Sequence, residues 1–126
     1  MRANSVFAAI TLAAALLTAP PAMAQSIAVP RAFDGLWSVY VDVLRGNCAA
    51  NSSFPVRVVR GAIAYAGQVN IDVSGTIGRD GRVTARVSRG AETLSISGRV
   101  SAARGAGVWT ASSRGCSGRW VARRAG

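Results

Sequence analysis

The 126-residue chain has no histidine, no lysine and a single glutamate. Without histidine it lacks the commonest general base and the commonest metal ligand, so a Ser-His-Asp triad is excluded and zinc has no ligand set. Both methionines, Met1 and Met23, fall within the first 23 residues. If Cys48 and Cys116 pair, Tyr40 and Tyr65 are the only side chains of a type that ligates haem iron, and neither sits in a recognisable haem context. The five carboxylates, Asp34, Asp42, Asp72, Asp80 and Glu92, are scattered. No two show the local pairing expected of residues that must face one glycosidic bond. No glycine-rich loop has phosphate-binding spacing. The expectation is a protein without enzyme activity, without a metal and without a cofactor.

What is present begins with an export signal. Arg2 is followed by an apolar run from Val6 to Leu17, then by Thr18-Ala19-Pro20-Pro21 and the small-x-small triplet Ala22-Met23-Ala24. That order predicts a signal peptide over 1–24 rather than a buried or membrane-spanning helix. A short leader, 25–31, and one β domain, 32–126, would follow. The protein is therefore expected in the periplasm or outside the cell, with no membrane span. There, Cys48 and Cys116 are expected to form a disulfide.

From Asp34 onward apolar residues recur at every second position, which is the period of a half-buried strand. Trp37, Val39, Val41 and Val43 share one face, and Phe54, Val56 and Val58 another. Ile63 with Tyr65, then Val69, Ile71 and Val73, continue the pattern. Val83, Ala85 and Val87 are followed by Leu94, Ile96 and Val100, by Trp109 and Ala111, and by Cys116, Gly118, Trp120 and Ala122. Asp80-Gly81 reads as the centre of a hairpin needing positive φ, and Arg104-Gly105-Ala106-Gly107 as another turn. Glycines in general read as turn residues. The count is about eight short antiparallel strands, predicting a small up-and-down barrel, with a two-sheet sandwich as the alternative. In a barrel the first and last strands pair, and a Cys48–Cys116 bridge would lock that seam. Trp37 and Trp120 would meet across it, with Arg123 and Arg124 placed to lie over an indole. Trp37, Trp109 and Trp120 are otherwise expected to be core.

Phe33-Asp34-Gly35-Leu36-Trp37-Ser38-Val39, Arg45-Gly46-Asn47-Cys48, Gly107-Val108-Trp109 and the closing Gly115-Cys116-Ser117-Gly118-Arg119-Trp120-Val121-Ala122-Arg123 carry a resemblance. Together they resemble a group of small exported α-proteobacterial proteins, over nearly the whole β domain. Gly35-x-Trp37 at the head of a strand is also similar to the start of lipocalin-type barrels, which implies a barrel and no particular ligand. Neither resemblance brings catalytic residues with it.

The remaining signal is arginine. The chain holds 15, with a formal net charge of +10. Arg57, Arg82, Arg86, Arg99 and Arg119 take the outward parity of their strands and are the candidate anion-binding residues. The absence of lysine beside heavy alanine, glycine and valine use also fits a compositional bias, and then the basic face is merely solvated. Three functions are carried forward. The first is a cell-envelope module binding an anionic polymer or lipid head group. The second is a small inhibitor or partner of another exported protein. The third is a carrier of a small apolar ligand inside the barrel. Nucleic acid is a poor partner for an exported chain with few exposed aromatics.

Overall fold

The computed structural model describes residues 31–48 and 52–125. The predicted signal peptide and all of the leader except Arg31 lie outside the described residues. Eight strands form: β1 (Gly35–Arg45), β2 (Ser52–Val59), β3 (Ala62–Tyr65), β4 (Asp72–Ile77), β5 (Arg82–Arg89), β6 (Glu92–Ser101), β7 (Arg104–Ala111) and β8 (Cys116–Arg124). Each pairs antiparallel with the next, and β1 pairs with both β2 and β8. The result is a closed up-and-down barrel rather than a sandwich. Closure gives every strand two neighbours and leaves no exposed edge.

The alternation in sequence becomes an inside and an outside. Trp37, Val39, Val41, Val56, Val58, Val73, Ile77, Val83, Ala85, Val87, Ile96, Val100, Trp109, Trp120 and Ala122 are all buried. An eight-stranded barrel has an interior about wide enough to be filled by its own side chains. Here a wholly apolar void of about 50 Å³ remains at its centre. The indoles fit because glycines face them. A Cβ on Gly98 or Gly107 would collide with the Trp120 ring, and one on Gly118 with the indole of Trp109. Thus Gly98, Gly105 and Gly107 lie within strands, not in turns; Gly75, packed against Ala85, does so too, and Gly118 sits in β8 as the alternation predicts. For the same reason Arg104-Gly105-Ala106-Gly107 is not a turn: all four residues belong to β7. Each indole N–H finds a carbonyl: Trp37 donates to Phe33 at 2.8 Å, Trp109 to Asp42 at 3.0 Å and Trp120 to Ser97 at 2.9 Å. This removes the cost of burying an unpaired donor.

The turns depart from expectation in instructive ways. At Gly78–Gly81 the central residues are Arg79 and Asp80, with Gly81 following at φ +87°. That is a three-residue loop with its bulge glycine, not a two-residue turn centred on Asp80-Gly81. The two-residue geometry with both central φ positive occurs instead at Arg60-Gly61, φ +53° and +77°. Asp34 holds it from 26 residues away, its carboxylate accepting the Arg60 N–H at 2.7 Å and the Gly61 N–H at 3.2 Å. Val69, expected to face inward, is 58% exposed in the bend before β4. Its N–H donates to the Tyr65 hydroxyl at 3.2 Å. That bond turns the chain before the strand begins.

The two ends of the β1–β8 seam are tied differently. At one end Cys48 and Cys116 form the expected disulfide, with Cα atoms 6.3 Å apart. At the other end Arg124 lies over the Trp37 ring, 5.0 Å from its centroid. It also donates to the carbonyls of Asp34 (2.7 Å), Ala32 (2.6 Å) and Ala102 (3.3 Å). Ala102 is a non-glycine residue at φ +50°, so the contact supports an unfavourable turn conformation. Trp37 faces Arg124 across the seam while Trp120 faces Val41, so the two indoles share the seam without being opposite each other.

Arg124→Gln is expected to cost about 2 kcal/mol, from lost charge-assisted hydrogen bonds and the cation–π contact. Arg123→Gln, next along the strand but facing out, should stay within about 0.5 kcal/mol of the parent. Urea midpoints check both. Reduction of the disulfide closing a 68-residue separation should remove about 4 kcal/mol on the loop-entropy model, read from thermal unfolding with and without reductant.

Candidate anion-binding face

The outer surface is built by the positions that alternate with the core. On β4 to β6 they read Ser74 and Thr76, then Thr84 and Arg86, then Ser95 and Ser97. The register sets Thr84 beside Thr76 and Ser97, and Arg86 between Ser74 and Ser95. Further round, two pairs of arginines stand directly opposite each other. Arg82 faces Arg99 across β5–β6, and Arg104 faces Arg123 across β7–β8. Like charges in opposite positions repel and destabilise a sheet. For the first pair Asp80 offsets this, its carboxylate 4.0 Å from Arg82 Nε and 3.9 Å from Arg99. Among the described residues no carboxylate reaches ion-pair distance of Arg104 or Arg123.

These positions line one continuous furrow. A depression of about 520 Å³ crosses the hydroxyl-rich strands β4 to β7. It shares Thr84 and Ser97 with a second, of about 440 Å³, which also touches Arg82 and Arg99. That one shares Arg99 and Ala106 with a third, of about 430 Å³, bounded by Ser101, Arg104 and Arg123. Among the described residues no carboxylate lines any of the three. Three of the five predicted anion-binding residues therefore come together: Arg82 and Arg99 as a pair, and Arg86 farther along the same furrow. Arg119 stands apart on β8 between Val108 and Asp42. Arg57 lies on β2 between Leu36 and Ala64, two strands beyond β8, and lines none of the three depressions. Arg104 and Arg123 were missed. The glycines around Arg104 made it look like a turn residue. The outward parity of Arg123, next to inward Ala122, was the available signal.

The carboxylates do structural work. Asp34 holds the β2–β3 turn, Glu92 forms an ion pair with Arg114, and Asp80 accepts the Arg82 N–H at 3.0 Å. No three histidine, cysteine, aspartate or glutamate side chains converge among the described residues. Tyr40 stands 46% exposed on the outer face, and the Tyr65 hydroxyl is engaged by Val69. Among the described residues no helix is long and apolar enough to cross a membrane. At the disulfide end a second concavity of about 190 Å³ opens over Val41, Val87 and Trp109, rimmed by Phe54, Ile71, Leu94, Arg89 and Glu92. The opposite end is filled by Phe33 and Trp37.

The Asp80 carboxyl is held below its ordinary value of 3.8, chiefly by the Arg82 backbone N–H; desolvation, the next largest effect, opposes this, and the Arg99 and Arg82 guanidinium groups add smaller downward pulls. A depressed carboxyl stabilises the fold fully above its unfolded value and loses that contribution as pH falls through the folded one. Carbon-detected NMR titration should place Asp80 below 3.8, and Arg99→Gln should bring it partway back. A return all the way would mean the backbone N–H is not the main cause.

No protein-family model, curated protein or solved structure matches this chain.

Proposed function

We propose that this chain is a non-catalytic, exported binding module of the cell envelope that holds anionic polymers or lipid head groups on the outer face of β5 to β8. The observation that carries the reading is the Arg104–Arg123 pair, opposed across two strands with no carboxylate beside it among the described residues, in a furrow that continues to Arg82 and Arg99. An anion seated between two guanidinium groups relieves their repulsion and accepts their forked donors. Hydroxyls from Thr84, Ser97 and Ser101 along the furrow suit a hydroxylated or glycan backbone. Export is supported by the three-zone leader sequence, and by a disulfide that persists in an oxidising compartment.

A second reading has its own observation. The concavity at the disulfide end is floored by buried Val41, Val87 and Trp109. It is a fitting seat for a small apolar ligand, whose arrival would change Trp109 fluorescence.

The test of the first reading is binding to lipopolysaccharide and to anionic vesicles at low and at physiological salt. Binding is expected to weaken steeply with salt, because exposed charges are screened. The double variant Arg104→Gln/Arg123→Gln should bind about tenfold more weakly, while Arg57→Gln, two strands beyond β8 and outside the furrow, should bind as the parent does at physiological salt. Asp80→Asn, which frees the other pair, should bind more tightly. Absence of binding at low salt, or equal losses in the Arg57 and Arg104/Arg123 variants, would remove the reading.

A further inference from the structure

The two ends of the barrel are finished differently. Phe33 and Trp37 fill one of them. At the disulfide end the concavity of about 190 Å³ stays open. Val43, Phe54, Ile71 and Leu94 stand round it only partly buried, although each packs against the core. The charges at this mouth are unequal. Arg89 and Glu92 both line it, and they stand opposite each other in the β5–β6 hairpin. Arg89 keeps the inward parity of Val83, Ala85 and Val87 on β5. Glu92 does not neutralise it, because the Glu92 carboxylate is bound by Arg114, two residues before Cys116. Among the described residues no carboxylate stands within ion-pair distance of Arg89. The mouth thus joins an apolar floor of Val41, Val87 and Trp109 to a cation without a counter-charge.

From this combination we infer that the disulfide end takes a medium-chain carboxylic acid, its tail against Val41, Val87 and Trp109 and its carboxylate at Arg89. The inference rests on the apolar-seat reading above, narrows it, and is independent of the outer furrow. A guanidinium offers a carboxylate two parallel donors. A neutral or cationic amphiphile of the same length would leave Arg89 without a partner. Size sets the length of the tail. An apolar cavity of about 150 Å³ holds one benzene, so about 190 Å³ suits a tail of about six to eight carbons. A longer chain finds little room farther in, since the void at the centre of the barrel is only about 50 Å³.

The probes are octanoate, 1-octanol and butanoate, titrated into the intact, oxidised protein and read by the indole N–H resonances of its three tryptophans. Octanoate should move the Trp109 signal and leave that of Trp37, at the other end, in place. Butanoate, whose tail is too short to cover the floor, should bind about tenfold more weakly. Arg89→Gln should weaken octanoate about fivefold, a modest loss because the pair is exposed, without changing 1-octanol. Its circular-dichroism spectrum should match the parent's, and Arg89→Lys should keep most of the parent's affinity. Arg57→Gln, on the outer wall away from the mouth, should bind octanoate as the parent does. Octanoate affinity that is unchanged in Arg89→Gln, or that falls equally in Arg57→Gln, would overturn the inference. In that event 1-octanol still moving Trp109 would leave the apolar seat standing. No movement of Trp109 with either eight-carbon probe would end both.

Discussion

Everything else in this molecule depends on β8 lying antiparallel against β1. Val39 beside Ala122 and Val41 beside Trp120 set the shear of the barrel, and with it the position of every other strand. The seam joins residues about eighty apart in sequence, so the chain must pay its largest loop-closure entropy there. Both ends of the seam are tied, the disulfide end by Cys48–Cys116 and the other by Arg124 across Trp37, Asp34, Ala32 and Ala102. One tie acts mainly by restricting the unfolded chain, the other by native-state hydrogen bonds and stacking. They fail under different conditions, reductant for the first and loss of Arg124 for the second.

Closing the sheet this tightly leaves no interior room for charge. Among the described residues no polar or charged one is buried. The inner face carries glycines where tryptophans need space, and the described arginines are pushed to the rim or the outer wall. An outer wall so rich in one charge repels itself. Relief comes from few carboxylates, and three of the five are already occupied in turns or at the disulfide end. The uncompensated Arg104–Arg123 pair is thus a consequence of the packing inside as much as of the residues outside.

Period-2 alternation made the strands, the barrel, the buried tryptophans and the β1–β8 seam legible, because a strand has one core face and any slip would expose it. The same rule misread Val69, where three apolar residues alternate but a tyrosine hydroxyl bends the chain. It also misread Gly105 and Gly107, since glycine beneath an indole and glycine in a turn look alike in one dimension. Asp34 and Ala102 carried no readable sign, because a carboxylate capping a turn 26 residues away, or an alanine held at positive φ by a distant guanidinium, exists only once the barrel has closed. Of the anion-binding face, outward parity was visible and pairing was not. Parity is local to one strand, whereas Arg82–Arg99 and Arg104–Arg123 are products of register between strands.

The end of β8 shows how fold and face are joined. Ala122 points in, Arg123 points out and Arg124 returns to the seam, so neighbouring arginines take opposite duties by alternation alone. Arg124 fixes the end of β8 against Trp37 and the β6–β7 hairpin, and that anchoring sets where Arg123 stands relative to Arg104. An anion bridging Arg104 and Arg123 would in turn pin β7 to β8 beside the seam. By mass action any ligand that binds only the folded barrel stabilises it in proportion to the logarithm of its concentration over Kd. The furrow and the closure are then two readings of one register: what loosens the seam disperses the arginines, and what fills the space between the arginines tightens the seam.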